Sequence, residues 1–246
     1  MKVLLATLIH NTPELAENIV SQWKSDTFKE EYEIMVVDNG SQPDKVSNVT
    51  THKLSENVYF GGGFNVIMDY FLQGDYDYLA MFNSDIVYHG HNFLNNCFDD
   101  IKKYNLDIYT PSVLRGQLQQ CDWKPMLNWG TRDVRIVKYI DDECPIFSKR
   151  MIEKLNPIPH ELYLGYGTDF YECIIANRNN YKIGVSDSNT VLHLENYTVK
   201  QDKLTTISKQ QYYNDNFINM QNYFNNSEYA QEYQDLFKYG KEYKWE

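Results

Sequence analysis

Asn83-Ser84-Asp85 closes a short apolar run, Tyr78 to Phe82, so its carboxylate is carried at the end of a rigid element. One carboxylate joined by an imidazole or a second carboxylate can hold Mn2+ or Mg2+ and leave coordination positions for phosphate oxygens. His193, in the apolar stretch Val191-Leu192-His193-Leu194, is the candidate imidazole. A neutral ring there is a good ligand for a borderline metal; a hydrogen-bonded core histidine is the plain alternative. For Asp85 the plain alternative is a turn or a helix cap.

Gly165-Tyr166-Gly167-Thr168-Asp169 reads as a flexible loop entering a helix, with Asp169 near the first turn. The glycines would allow a substrate close approach, and the carboxylate could take a proton from an attacking hydroxyl, cap the helix, or do both. Glu172, one turn on, is the rival carboxylate. Asn57 to Asn65, which contains Gly61, Gly62 and Gly63, offers backbone amides ahead of a helix N-terminus, a suitable lining for a nucleotide or its phosphates. It is not a Walker loop, since no Gly-Lys-Ser/Thr follows, nor the dinucleotide fingerprint, since it does not directly follow the first strand.

The elements that must carry these residues alternate. Lys2 to Ile9 is a β-rich run, and Asn11-Thr12-Pro13 opens a helix with Leu15, Ile19 and Trp23 on one face. Glu33 to Val37 is a second strand ending at Asp38-Asn39-Gly40-Ser41, Phe64, Ile67, Met68 and Phe71 mark a helix, and Tyr78 to Phe82 is a third strand. This order predicts an α/β fold with a mostly parallel, doubly wound sheet. Ligands of such sheets gather beyond the carboxyl ends of the strands, where Thr7, Asp38 and Asp85 fall. Leu114 to Gly130 reads as a long loop, Val134 to Tyr139 and Cys144 to Ser148 as strands, and Lys149 to Leu155 as a short helix. Asp169 to Asn177 follows as a helix, and Lys182 to Val185 and Val191 to Leu194 as two strands. Beyond Thr198 the composition shifts to Tyr, Asn, Gln and Lys, with Phe217, Met220, Tyr223 and Phe224 at helical spacing. Two amphipathic helices are expected there, packed on the core or joining copies of the chain into a homo-oligomer. The division is therefore 1–198 for the core and 199–246 for a helical extension.

The 246 residues suffice for one large domain with an appendage, and 42% hydrophobic residues in short runs suit a buried core. A net charge of -11 disfavours non-specific attraction to nucleic acid or anionic membranes. No apolar run reaches membrane-spanning length and no signal peptide is apparent, so a cytoplasmic location is expected. Four scattered cysteines suggest reduced, buried thiols.

In this order the motifs resemble family 2 glycosyltransferases of the GT-A fold, especially the rhamnosyl- and galactofuranosyl-transferase-like branch, from Lys2 to about Thr198. Val36-Val37-Asp38-Asn39-Gly40-Ser41 is similar to that family's nucleotide-binding strand end, and Asn57, Gly62, Gly63 and Asn65 to its Asn/Gly-rich segment. Asn83-Ser84-Asp85 stands where the family has its Asp-x-Asp metal motif, and Gly167-Thr168-Asp169 where it has the catalytic base. The resemblance implies a nucleotide-diphosphate sugar donor lined by Thr7, Asn11, Asp38, Asn57, Gly62, Gly63, Asn65, Asn83 and Ser84. It implies Mn2+ or Mg2+ on Asp85 and His193, and an inverting transfer with Asp169 as general base. Asn83, Thr168 and Tyr171 depart from the family by replacing acidic residues. The acceptor is expected to be a saccharide or glycoconjugate, contacted by Trp123, Trp129, Tyr166 and Glu172, with a modified DNA base as an alternative. A nucleotidyltransferase and a non-catalytic glycan- or nucleotide-sugar-binding module are the rival classes.

Overall fold

The computed structural model describes residues 1–114, 123–194 and 208–244. Apolar runs buried on both faces need helical cover, and among the described residues the strands meet that requirement in one nine-stranded sheet. The first half runs β1 (Lys2–Ile9), α1 (Pro13–Ser25), β2 (Glu31–Asp38), β3 (His52–Lys53), α2 (Tyr59–Gln73), β4 (Tyr78–Met81), β5 (Ile86–Tyr88), α3 (Phe93–Tyr104) and β6 (Ile108–Val113). Then come β7 (Val134–Val137), β8 (Ile146–Ser148), α4 (Lys149–Leu155), α5 (Thr168–Arg178), β9 (Ile183–His193), α6 (Lys209–Asn226) and α7 (Ala230–Glu242).

Spatially the order is β3-β2-β1-β4-β8-β6-β9-β5, with β7 also on β9. Strands β1, β2, β3, β4, β6 and β9 point the same way, and β5, β7 and β8 run against them. The α/β class and mostly parallel sheet are as expected. The carboxyl ends of β1, β2, β4 and β9 therefore share one rim. Helix α1 buries Leu15, Ile19 and Trp23 as its spacing requires, and Trp23 meets Phe82 edge-on at 6.0 Å. Cys97, Cys144 and Cys173 are buried free thiols; Cys121 lies outside the described residues.

The structure differs from the sequence expectation at three places. Strand β9 is one element where two were expected. Its polar middle looks like a break in hydropathy, but Ser186, Asp187 and Asn189 are all buried with partners. Ser186 and Asn189 donate to Asp100 at 2.8 and 3.0 Å, and Asp187 accepts from the fully buried Arg135 at 2.9 Å. Arg135 also donates to the carbonyls of Pro125 and Leu127, which fixes the end of the long loop against β7. Secondly, α2 begins at Tyr59, so Gly61, Gly62 and Gly63 lie inside the helix rather than ahead of it. A Cβ on Gly61 would stand 2.9 Å from the Leu162 carbonyl oxygen, and one on Gly63 2.5 Å from Leu8; these glycines allow close packing of α2. Thirdly, β5, α3 and β6 are ordered elements where the sequence reading marked none.

The tail helices pack on the core. Phe224 is fully buried and stacks on Tyr233 at 4.5 Å, while Tyr233 meets Phe170 of α5 edge-on at 4.9 Å. Met220 and Phe224 face inward as expected, but Phe217 is 47% exposed. The 198/199 boundary lies outside the described residues. Among the described residues no helix is long and apolar enough to cross a membrane.

Phe224→Ala empties the joint between α5, α6 and α7 and is expected to cost about 3–5 kcal/mol. Equilibrium denaturation of the variant checks this, and a loss below about 1 kcal/mol would show that the joint contributes little to stability.

Candidate active site

Two clusters form on the shared rim. The first lies beyond β1 and β2. Thr7 and Asp38 are fully buried, and Asp38 accepts from the Ser41 amide at 2.9 Å through one oxygen. The Thr7 hydroxyl and the second Asp38 oxygen have no hydrogen-bond partner among the described residues. A buried polar atom without a partner costs stability unless something else supplies one. Asn11 ties the neighbouring turns together: its amide donates to the Ser41 hydroxyl at 2.8 Å, and its side-chain oxygen accepts from the Gln42 amide at 2.9 Å. Asn39 does the same for the segment before α2, accepting from the Val58 amide at 2.9 Å and donating to the Tyr59 carbonyl at 3.1 Å. That holds Asn57, whose oxygen accepts from the Tyr59 amide at 2.8 Å, against the Gly40 turn that follows Asp38.

The second cluster forms because β5 pairs antiparallel with β9, setting Ile86 opposite His193. His193 Nε2 then lies 3.2 Å from Asp85 Oδ1, and the Leu194 amide donates to the Asp85 carbonyl at 2.9 Å. The other ring nitrogen, Nδ1, is 3.4 Å from Glu143 Oε1. Asn83 brings Glu143 there, since its amide donates to the Glu143 carbonyl at 3.0 Å and its side chain to the Asp142 carbonyl at 2.9 Å. Ser84, half-buried, occupies the turn between Asn83 and Asp85. Burial would pull the His193 pKa down, but hydrogen bonds and charge from Asp85 and Glu143 outweigh it and raise it well above the usual value.

Next to this pair, Asp141, Asp142, Asp169 and Glu172 crowd together. Tyr139 donates its hydroxyl to Asp169, and the Thr168 hydroxyl donates to Asp142 at 2.7 Å. Burial, and then the charge of Asp142, push Asp169 up to about 7, against the pull of Tyr139 and the helix-start amides. Glu172 is fully buried and faces Asp142, with neither of its oxygens meeting a donor from elsewhere. Burial, and then the charge of Asp142, raise Glu172 well above the usual carboxylate range, and burial raises Asp142 as well. Asp141 is raised by burial and by Asp169 and Glu143, while His193 lowers it, which links the two groups electrostatically.

Asp85, His193 and Glu143 are the candidate surroundings of a divalent cation. Among the described residues no group of three or more His, Cys, Asp or Glu is arranged to hold one alone. Asp85 and His193 offer two atoms 3.2 Å apart, close to the roughly 3 Å between adjacent ligands of an octahedral ion bound at about 2.1 Å. Glu143 on Nδ1 would fix the tautomer that presents a lone pair from Nε2. The residues fit a cation completed by ligand oxygens or water.

The fold of the chain is shared with several solved structures. S. aureus TarS superposes with a TM-score of 0.58 at 14% identity, covering 94% of this chain and 45% of that one. TarS 1–349 in complex with UDP gives 0.54 at 13% identity over 92% and 73% of the two chains. The mannosyltransferase PcManGT from Pyrobaculum calidifontis, in complex with GDP-Man and Mn2+, gives 0.58 at 12% identity over 81% and 59%. The chain thus spans under half of the longer TarS chain. A scan against family models and a search of curated proteins found no match. At these identities the likeness establishes the fold.

Several sequence-predicted positions serve other roles. Asn65 spends its amide on Ile158, accepting at 2.7 Å and donating at 3.1 Å, and on Tyr163, so it braces α2. A Cβ on Gly62 would stand 2.9 Å from Val58 and 3.3 Å from the Tyr163 ring, so this glycine serves packing. Gly167, at φ +90°, starts α5, and the room beside it is taken by Met220 and Phe224 of α6 rather than left for a substrate. Trp123 packs edge-on against Tyr139, Phe170 and Phe237, one layer behind Asp169. Trp129 donates to the Lys124 carbonyl and meets Tyr243 edge-on. Tyr166 remains 39% exposed at the entry to α5. Sequence reasoning missed Tyr139, Asp141, Asp142 and Glu143. Their signal was a run of three acids set between apolar Tyr139-Ile140 and Cys144 to Phe147, where a solvated charge run does not belong.

Because the folded-state pKa of Asp169 lies above its unfolded value, its contribution to stability is complete below about pH 4 and is lost as pH rises through about 7. Asp169→Asn, a neutral mimic, is expected to melt higher than the parent at pH 8, with the gap closing toward pH 5. Thermal melts at the two pH values check this; an equal gap at both would mean that Asp169 is not the group titrating.

Proposed function

We propose that the chain is a divalent-metal-dependent glycosyltransferase of the GT-A, family 2 type, moving a sugar from a nucleotide-diphosphate sugar to an acceptor hydroxyl with inversion. The observation that carries this reading is the Asp85–His193–Glu143 arrangement beside Asp169 on one rim. The UDP complex of TarS and the GDP-Man and Mn2+ complex of PcManGT, on the same fold, support it.

In this reading Thr7 and Asp38 take the nucleoside, since their unpartnered atoms sit at the strand ends, with Asn11 and Asn57 shaping the rim around it. Asp85 and His193 would hold Mn2+ or Mg2+, which supplies positive charge for the leaving diphosphate. Glu143 keeps a proton on Nδ1 of His193. Asp169 receives the acceptor's proton: with a pKa of about 7 it is largely ionised just above neutrality yet basic enough to take that proton as the hydroxyl attacks. Tyr139 holds the carboxylate in place. The positions where the resemblance expects acids, Asn83 and Thr168, instead donate hydrogen bonds to Asp142, which avoids adding charge to an acid-rich site. The acceptor is a saccharide or glycoconjugate.

Incubating the chain with a panel of nucleotide sugars and Mn2+ and measuring nucleoside diphosphate release tests the reading. Release from none of them would sink it. Asp169→Asn should keep its fold and nucleotide binding but lose on the order of 10²–10⁴ in rate, with Glu172→Gln milder. The parent's rate should rise between pH 6 and 8.

EDTA should abolish release and Mn2+ restore it. Glu143→Gln should raise the Mn2+ concentration needed for half activity by about 10–100-fold. Full activity after exhaustive chelation would count against the metal.

A further inference from the structure

A groove of about 960 Å3 runs between the segment before α2, the turn at His160–Leu162, and α6. None of the carboxylates of the rim lines it. On α6, Asn219, Asn222, Tyr223 and Asn226 follow one another at spacings of three, one and three, so they share a face. Tyr163 and Asn57 face them across the groove. The Asn219 and Asn222 side chains are exposed and make no hydrogen bond within the described residues.

The chemistry of this lining selects a ligand. No lysine or arginine lines it, and its acids are Glu56 and Glu161, so a phosphate or other anion would meet repulsion. Carboxamides donate and accept at once, which matches vicinal hydroxyls, and tyrosine rings cover the apolar face of a sugar ring. The groove is also coupled to the rim by one short loop. Tyr163 and Leu164 form its wall, and the chain then passes Gly165, Tyr166 and Gly167 to reach Asp169. Helix α6 holds that loop directly: Tyr212 donates to the Leu164 carbonyl at 3.0 Å, and Asn216 accepts from the Tyr166 amide at 3.2 Å.

We infer that this groove binds uncharged saccharide units of an extended acceptor, remote from the hydroxyl that reacts. As an acceptor subsite it rests on the transfer reading; as a saccharide site it is measured without donor. Along the chain Tyr166 stands between Leu164 of the groove and Asp169.

The test is calorimetry of the full chain with manno-, malto- and chito-tetraose, without nucleotide. The parent should bind at least one of them. Asn219→Ala with Asn222→Ala should weaken that binding about tenfold or more, whereas Gln221→Ala, on the opposite face of α6, should leave it unchanged. UDP or GDP with Mn2+ should not displace the glycan. Failure of the parent to bind any tetrasaccharide, equal binding by the double variant, or displacement by the nucleotide would each overturn the inference. A parent that binds glycan through these asparagines yet releases no nucleoside diphosphate from any donor overturns the transfer reading and keeps the groove.

Discussion

Six carboxyl groups, Asp85, Asp141, Asp142, Glu143, Asp169 and Glu172, gather in one region, two of them on a single imidazole, and the rest of the site is arranged to make that tolerable. Like charges removed from water cannot all remain ionised, so protons are distributed unevenly. Burial and Asp142 raise Glu172 well above the usual range, the Thr168 hydroxyl donates to Asp142, and Asp169 is left at about 7 with Tyr139 and the helix-start amides as its donors. Such a graded set suits a site that must attract a cation and also keep one carboxyl ready to change its protonation state.

The arrangement depends on strand pairing rather than on chain proximity. Asp85 and His193 are separated by more than a hundred positions and meet because β5 and β9 pair antiparallel with Ile86 opposite His193. Strand β9 can reach that far only because its polar middle is bonded to Asp100 and Arg135. The buried ion pair of Arg135 with Asp187 thus supports the site from a distance. Removing one partner would leave a charge without compensation, typically a cost of about 3–5 kcal/mol.

The tail helices complete the base's surroundings. Gly167 starts α5 in a left-handed conformation, and the missing side chain is what lets Met220 and Phe224 approach. Phe170, the residue after Asp169, then lies among Tyr139, Trp123, Tyr233 and Phe237. Aromatic side chains from the extension therefore contribute to the water-poor setting that raises Asp169.

Much was legible in the residues alone. Short apolar runs alternating with helical periodicity determined the α/β class, because burial on both faces leaves few other solutions. Asn83-Ser84-Asp85, the Gly167-Thr168-Asp169 entry to a helix and His193 near a strand end were visible as local patterns, and so were Thr7 and Asp38 at strand ends. Only the tertiary structure decided what those patterns did. The glycines of α2 and Gly167 answer to neighbouring side chains, Asn65 to the backbone of Ile158, and Trp123 to α7, none of which local spacing encodes. The acids Asp141 to Glu143 were passed over because sequence records charge but not enclosure. The pKa shifts of Asp141 and Asp142, and the placing of Glu143 on His193, arise from distances set by strands far apart in the chain, and electrostatic energy depends on those distances and on excluded water.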